Sequence, residues 1–85
     1  MTRVVVPSVL AAQAEGQSRF DVEAGTLGEA MRALPIADLL FNERGEWSPR
    51  LNVYVDGEDA RDRGGLECPL TGVREVRIVA MISGG

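Results

Sequence analysis

The C-terminal stretch, residues 76–85, constrains the fold of this chain more than any other segment. It reads VRIVAMISGG, an alternating pattern that ends on two glycines. In a strand, successive side chains point to opposite faces of the sheet. One face would carry Val76, Ile78, Ala80 and Ile82, and the other would carry Glu75, Arg77, Val79 and Met81. The second face begins charged and becomes apolar, which a solvated sheet face does not ordinarily do. We therefore predict a strand whose Val79 and Met81 are covered by a partner.

The tail after this strand has the composition of a segment that enters a narrow channel. Ser83, Gly84 and Gly85 add roughly 10 Å of extended reach, and glycine has no Cβ to obstruct a close approach. A terminal Gly-Gly is in many proteins only a frayed end. Here it follows a strand that needs a partner, so we expect Gly85 to present its carboxylate to another protein. We expect a domain over residues 1–82 and a flexible tail over residues 83–85.

The amino-acid composition excludes most catalytic chemistry. The 85 residues include no histidine and no lysine, all nine cationic side chains are arginine, and Cys68 is the single cysteine. This excludes a lysine-containing phosphate loop, a lysine Schiff base, an internal disulfide and a cysteine-ligated zinc or iron–sulfur site. The commonest general base is also missing. We predict that the chain is not an enzyme and that it stably binds no cofactor or metal.

The charge and hydropathy of the chain indicate which partners it would meet. A net charge of -4 argues against nucleic acid, whose phosphates would repel the chain, and suits a protein partner with a basic face. No apolar run approaches the ~18 residues of a membrane span, and the N-terminus lacks the pattern of a signal peptide. We therefore expect a cytoplasmic protein that binds other proteins and does not bind membranes.

The N-terminal half of the chain predicts a hairpin. Residues 2–9 are rich in β-branched side chains and predict the first strand, with Val4 and Val6 in the core and Val5 on the opposite face. After a connection of small residues, residues 18–23 alternate again. We predict that these two strands pair antiparallel.

The clearest local signal is the helix start at Gly25–Glu29. Thr26 can accept a hydrogen bond from a backbone N–H, while the Glu29 side chain reaches back to the N–H of Thr26. A single apolar stripe at helical spacing follows, made of Leu27, Ala30, Met31 and Leu34. Pro35 ends the helix. We expect this helix to pack across the core face of the sheet.

The segment after this helix predicts a short second helix and a loop. Residues 36–42 predict the helix, with Ile36, Leu39 and Leu40 inward. Residues 43–50 are polar and predict the loop. Trp47 in this loop is either a cover for the edge of the core or an exposed contact, and we favour the cover because one side of the indole can be buried.

The rest of the chain predicts a further main strand. Residues 51–56 alternate, with Tyr54 outward, and Asp56-Gly57 is a strong turn dipeptide. We interpret the charged residues 58–63 as a solvated face. A short strand or extended turn is expected at Leu66, Cys68 and Leu70, with Cys68 as a small core residue.

The order of elements predicts an α+β fold. It would be a mixed sheet of four to five strands with one main helix packed across one face. The first and last strands have the strongest β-branched cores, so we place them side by side and parallel at the centre. The first hairpin then lies on one side and the third strand on the other, and one face of the sheet stays bare.

Five stretches resemble the ubiquitin-like β-grasp sulfur carriers of the ThiS/MoaD group, and within it the carriers of a bacterial route to cysteine. They are VPSVL at residues 6–10, GTLGEAMRAL at 25–34, NVYVDGEDAR at 52–61, GGL at 64–66, and the EVRIV to SGG ending at 75–85. The chain departs from the cysteine-route carriers at Ala80-Met81-Ile82, where those carriers tend to have a proline and smaller residues. The resemblance implies the ubiquitin-like β-grasp fold.

The resemblance also implies a function. In the family, an E1-like adenylyltransferase and sulfurtransferase uses ATP and magnesium to make an acyl-adenylate of the terminal carboxylate, which sulfur converts to a thiocarboxylate. Here that group would form on Gly85, with Ser83 and Gly84 as the tail. A sulfur-accepting synthase would then pass the sulfur into cysteine, a thiazole, the molybdenum cofactor or a specialised thio-product. The residues that would dock the partner are Val5, Tyr54, Val79, Met81 and Ile82.

Two other functions stay open on the sequence. The chain could be a ubiquitin-like modifier that is joined through Gly85 to lysines of target proteins. It could also be a plain interaction module whose tail carries no chemistry.

Overall fold

The structure is a computed structural model that describes residues 1–80. The predicted tail and two predicted docking residues, Met81 and Ile82, lie outside the described residues. The sheet contains β1 (Thr2–Val5), β2 (Arg19–Val22), β3 (Leu51–Val55), β4 (Glu58–Asp59) and β5 (Glu75–Ala80). The helices are α1 (Ser8–Ala11), α2 (Leu27–Arg32) and α3 (Ala37–Leu40), with 3-10 turns at Ala12–Ala14, Ala60–Arg63 and Gly65–Glu67.

The centre of the sheet is the parallel pair of β1 and β5. Val4 lies opposite Val76 in this pair, and both side chains are completely buried. The strand order is β2-β1-β5-β3-β4, in which β2 pairs antiparallel with β1 and β3 pairs antiparallel with β5. The α+β fold, the mixed sheet and the central position of the first and last strands are thus confirmed.

Helix α2 covers one face of this sheet. Leu27, Ala30 and Met31 are completely buried, so the predicted stripe is the packed face of the helix. The Thr26 Oγ1 atom accepts a hydrogen bond from the Glu29 N–H at 3.3 Å, as predicted. The Glu29 carboxylate accepts from the N–H of Gly25 at 3.3 Å, one residue before the predicted donor.

The first strand is shorter than predicted. It ends at Val5, and residues 8–11 form α1 with Leu10 and Ala11 buried. Pro7 has no N–H to continue the ladder, and it occupies the position before the first helical residue. Val6 is still buried beyond the end of the strand, as predicted.

The structure refines the predictions for residues 58–70 in two places. Glu58–Asp59 is not simply a solvated face, because it forms the edge strand β4, and the 3-10 turn that follows buries Ala60 completely. Residues 66–70 are predicted as a short strand or an extended turn, and of these two alternatives the structure has a turn. They contain the end of a 3-10 turn and a single bridge between Pro69 and Thr26.

The predicted core is confirmed with one exception. Ile36, Leu40 and Cys68 are buried, but Leu39 is 47% exposed, because the four-residue helix α3 has Leu39 on its outer side. Trp47 covers the edge of the core, with its ring packed against it. Among residues 1–80, no helix has the length and apolar character needed to cross a membrane.

Candidate functional site

The sheet face opposite α2, here called the outer face, carries three of the predicted docking residues. Val5 on β1 and Tyr54 on β3 both lie opposite Arg77 on β5, so the three form one row across the centre of the sheet. Val79 lies two residues further along β5, opposite Asn52. The structure therefore brings Val5, Tyr54 and Val79 together near the end of β5, and we call these three residues the docking patch.

The exposure of the docking patch is greatest nearest the C-terminus. Val79 is 38% exposed, while Val5 and Tyr54 are half-buried. The other large hydrophobic residues that are exposed among residues 1–80 are Met1, Val9 and Leu39. These lie at the N-terminus and on α1 and α3, so Val79 is the one that belongs to a strand. A single exposed apolar residue is ordinary, so the docking patch depends on the three residues sharing one face and not on the exposure of Val79 alone.

Arg77 gives the docking patch a positive centre. Its guanidinium Nη2 lies 3.3 Å from the Glu75 carboxylate, and the two side chains are 57% and 41% exposed. Ion pairs this exposed are weak, so the guanidinium is available to a carboxylate of another protein. Alternation along the sequence predicts Arg77 on this face, but it indicates no role for the side chain. Its location between Val5 and Tyr54 depends on the strand register.

The start of β3, beside the end of β5, is held by one side chain from the loop before β3 and one from the 3-10 turn after β4. The Leu51 carbonyl, opposite Ala80, accepts from Trp47 Nε1 at 2.8 Å and from Arg61 Nη2 at 3.0 Å. Arg61 Nη1 also donates to Asn52 Oδ1 at 3.1 Å, and the guanidinium lies 4.3 Å from the centre of the Trp47 ring. This cation–π stack and its hydrogen bonds fix the strand next to β5 where β5 ends.

Asp56 fixes the opposite end of the outer face. Asp56 and Gly57 have φ values of 48° and 86° and form a two-residue turn between β3 and β4. The Asp56 carboxylate accepts from the N–H of Glu75 at 2.9 Å and from that of Arg74 at 3.2 Å. These bonds, the one from Glu75 most of all, lower the pKa of Asp56 below its usual value. The turn is therefore tied to the first residue of β5.

Residues 1–80 provide neither a cluster of potential metal ligands nor an accessible thiol. Among residues 1–80, no group of three or more histidine, cysteine, aspartate or glutamate side chains could hold a metal ion. The Cys68 thiol is completely buried.

Several solved protein structures match this chain over nearly its whole length. No protein-family model matches the chain, and no curated protein matches it. Among solved structures, CysO of Mycobacterium tuberculosis, described as an antigen, is 26% identical with a TM-score of 0.84, over 96% of this chain and 100% of that chain. A chain of the BexX/CysO complex of Amycolatopsis orientalis is 27% identical with a TM-score of 0.82, over 100% of both chains.

A third solved structure extends the comparison to an archaeal protein. SAMP1 from Haloferax volcanii is 27% identical with a TM-score of 0.76, over 99% of this chain and 98% of that chain. The matched structures share the sheet with one packed helix that is described above. The chain is therefore a ubiquitin-like β-grasp protein that resembles the sulfur carriers and small modifiers of this fold, CysO and SAMP1 among them.

Proposed function

We propose that the chain is a sulfur carrier protein, a protein co-substrate rather than an enzyme. An E1-like enzyme adenylates the carboxylate of Gly85 with ATP, sulfur replaces the adenylate to give a thiocarboxylate, and a synthase passes that sulfur into a small metabolite. Cysteine is the first candidate, because the similar proteins include CysO. The observation that carries the proposal is that the docking patch lies beside the end of β5, from which the sequence continues through three residues to Gly84-Gly85.

The chemistry requires activation because a carboxylate is a poor electrophile. In the first step, a Gly85 carboxylate oxygen attacks the α-phosphate of ATP, and pyrophosphate leaves. In the second, a sulfide or persulfide sulfur attacks the acyl carbon, and AMP leaves. With a persulfide donor, a thiol must then reduce the acyl disulfide. ATP, magnesium and the catalytic groups belong to the partner, and this chain supplies binding and orientation, which make the encounter effectively intramolecular.

The proposed docking surface is the docking patch with Arg77 at its centre, extended toward the tail by Met81. Ile82, which alternation assigns to the other face, would add a contact at the start of the tail. Burying apolar side chains provides the driving force of association, and a partner carboxylate opposite Arg77 would fix the orientation. The partner therefore needs an acidic group within an apolar surface at this position. This local requirement is opposite in sign to the one suggested by the net charge of -4. The BexX/CysO complex supports a partner-bound carrier in general.

The sulfur-carrier proposal is tested by intact mass. The full chain is incubated with the activating enzyme, ATP and a sulfur source. We expect its mass to rise by the difference between one sulfur and one oxygen atom. The same chain lacking Gly85 should keep its mass and its thermal unfolding midpoint. An unchanged mass of the full chain beside an enzyme that is active on another carrier would contradict the proposal.

The docking surface is tested by a matched pair of substitutions. Val79→Asp places a charge in the docking patch, whereas Val9→Asp places one on α1 at a residue that is 48% exposed. We expect Val79→Asp to weaken binding to the activating enzyme at least ~10-fold, the loss of about 1.4 kcal/mol, and Val9→Asp to leave it unchanged. Isothermal titration calorimetry measures both. Equal effects of the two substitutions would show that the outer face is not the docking surface.

A second candidate function is a ubiquitin-like modifier that is attached through Gly85 to lysines of target proteins. The similarity to SAMP1, a small archaeal modifier protein at 27% identity, favours it. Denaturing gels of cell extract, probed for this chain, distinguish the two. Higher-mass species that depend on Gly85 and contain a lysine-linked remnant would support the modifier, and their absence together with a thiocarboxylate would support the carrier.

A further inference from the structure

Strand β2 leaves one edge of the sheet open. It pairs with β1 on one side, and no strand of residues 1–80 pairs with its other side. The Val6 N–H donates to the Ser18 carbonyl at 2.9 Å, which sets the alternation of the antiparallel ladder. The backbone groups of Arg19 and Asp21 therefore point away from the sheet. The Gln17 side chain donates to the Arg19 carbonyl at 2.9 Å, in agreement with this direction.

The charges on this edge select one register for a second copy of the same strand. Suppose that the outward-pointing backbone N–H and C=O groups of two β2 strands form an antiparallel ladder. Arg19 of one copy can then lie opposite either Arg19 or Asp21 of the other copy. The first register places two arginines together, and the register centred on residue 21 places two aspartates together. Only the register centred on Phe20 places Arg19 opposite Asp21 at both ends, because the pairing is symmetric. Opposite charges at facing positions stabilise a strand pair, and like charges destabilise it.

We propose that the chain forms a homodimer in which the β2 edges of two copies pair antiparallel about a two-fold axis at Phe20. The two five-stranded sheets then become one continuous sheet. The two Phe20 residues form a non-hydrogen-bonded pair, the position at which facing side chains are closest. Phe20 is half-buried and packs against the core, so its ring is already oriented on the α2 side. Arg19 and Asp21 are exposed on the outer face.

The contacts that pairing would displace are weak ones. Asp21 now lies 3.8 Å from Arg3, with side chains 64% and 53% exposed, and such exposed pairs contribute little. The Gln17 side-chain amide would lose its hydrogen bond to the Arg19 carbonyl and would donate to water or to another group instead. Because β2 has four residues, the interface is small, and we expect a reversible dimer with a dissociation constant of about 0.1–1 mM. The docking patch is on other strands, so each copy keeps its own.

The test is sedimentation equilibrium of the full chain over a range of concentrations around that constant. Arg19→Asp and Asp21→Arg each place two pairs of like charges across the two-fold axis, so each should weaken dimerisation at least ~10-fold. The double variant Arg19→Asp/Asp21→Arg restores both opposite pairs and should recover the wild-type constant. Val79→Asp, in the docking patch, should leave the constant unchanged. Circular dichroism confirms that every variant is folded.

A chain that stays monomeric at about 2 mM, or a double variant no better than the single ones, would overturn the proposal. Loss of the dimer in Val79→Asp would also overturn it, because it would assign the interface to the outer face. A measurement on the wild-type chain tests the proposal even if some variants fail to fold. Amide chemical shifts followed against concentration should move at Arg19 and Asp21 and stay constant at Arg77, and the reverse pattern would refute the β2 interface.

Discussion

Asp56 joins the turn after β3 to the start of β5 through both its backbone N–H and its side-chain carboxylate. Its own N–H donates to the Glu75 carbonyl at 2.9 Å, and its carboxylate accepts from the N–H groups of Arg74 and Glu75. The sequence predicted the turn from Asp56-Gly57 because turn chemistry is local. It could not predict the carboxylate's partners, which lie 18 and 19 residues away and meet it only after β3 and β5 have paired.

We expect Asp56 to make the stability of the protein depend on pH in acid. The pKa of Asp56 is lowered in the folded state, so the charged carboxylate contributes stability above the unfolded pKa, and that contribution is lost as the pH falls through the folded pKa. Asn is the matched substitution because it also tolerates the left-handed backbone. Urea unfolding between about pH 2 and pH 6 should show a steeper decline for the wild type than for Asp56→Asn. Parallel declines would assign the acid sensitivity to other groups.

Among the secondary-structure elements, those whose own residues carry a clear periodic or capping pattern could be predicted from the sequence. The apolar stripe and cap predicted α2, and alternation predicted β1, β3 and β5. The sequence pattern was insufficient for β4, whose two residues are a strand only because they pair with Tyr54 and Val55. It was also insufficient for α1, because the β-branched run continues to Val9 while Pro7 stops the ladder. Short elements are defined by tertiary neighbours, and a single sequence does not display those.

The cap of α2 should contribute measurably to stability. Thr26→Ala removes the acceptor of the Glu29 N–H, which costs about 1 kcal/mol in comparable helices and would lower the unfolding midpoint by about 4–8 °C in a domain of this size. Thr26→Ser keeps the hydroxyl and should stay close to the wild type. Differential scanning calorimetry of the three proteins gives the comparison. If Ala and Ser behaved alike, the hydroxyl would not be the stabilising group.

In the molecule as a whole, the order of the strands in the sheet brings the residues of the candidate site together. The apolar members of the docking patch could be predicted from alternation along three separate strands. The row that places Arg77 between Val5 and Tyr54 could not, because it depends on two registers that the core sets when Val4, Val76 and Val55 align. The Arg61–Trp47 stack was also missed, since charged residues in a loop are usually solvated and nothing local indicates a distant indole.

Cys68 reports on the integrity of the whole fold. It is the single cysteine and is completely buried, so a thiol reagent should reach it only when the chain opens. We expect labelling of the native protein to be at least ~10³-fold slower than in denaturant, given a typical stability of about 5 kcal/mol or more. Met31→Ala, which leaves a core cavity costing about 2–5 kcal/mol, should accelerate it. Mass spectrometry follows the reaction, and rapid labelling of the wild type would mean that the thiol is accessible without unfolding.

The position of β5 between β1 and β3 has a mechanical consequence. A force applied to the C-terminal end of β5 along its axis is shared at once by the hydrogen bonds of both flanking ladders, which resist it in shear. The first strand, β1, also lies between two strands. A machine that unravels proteins by pulling along a terminal strand would therefore have to break two ladders at once, whichever end of the sheet it took hold of.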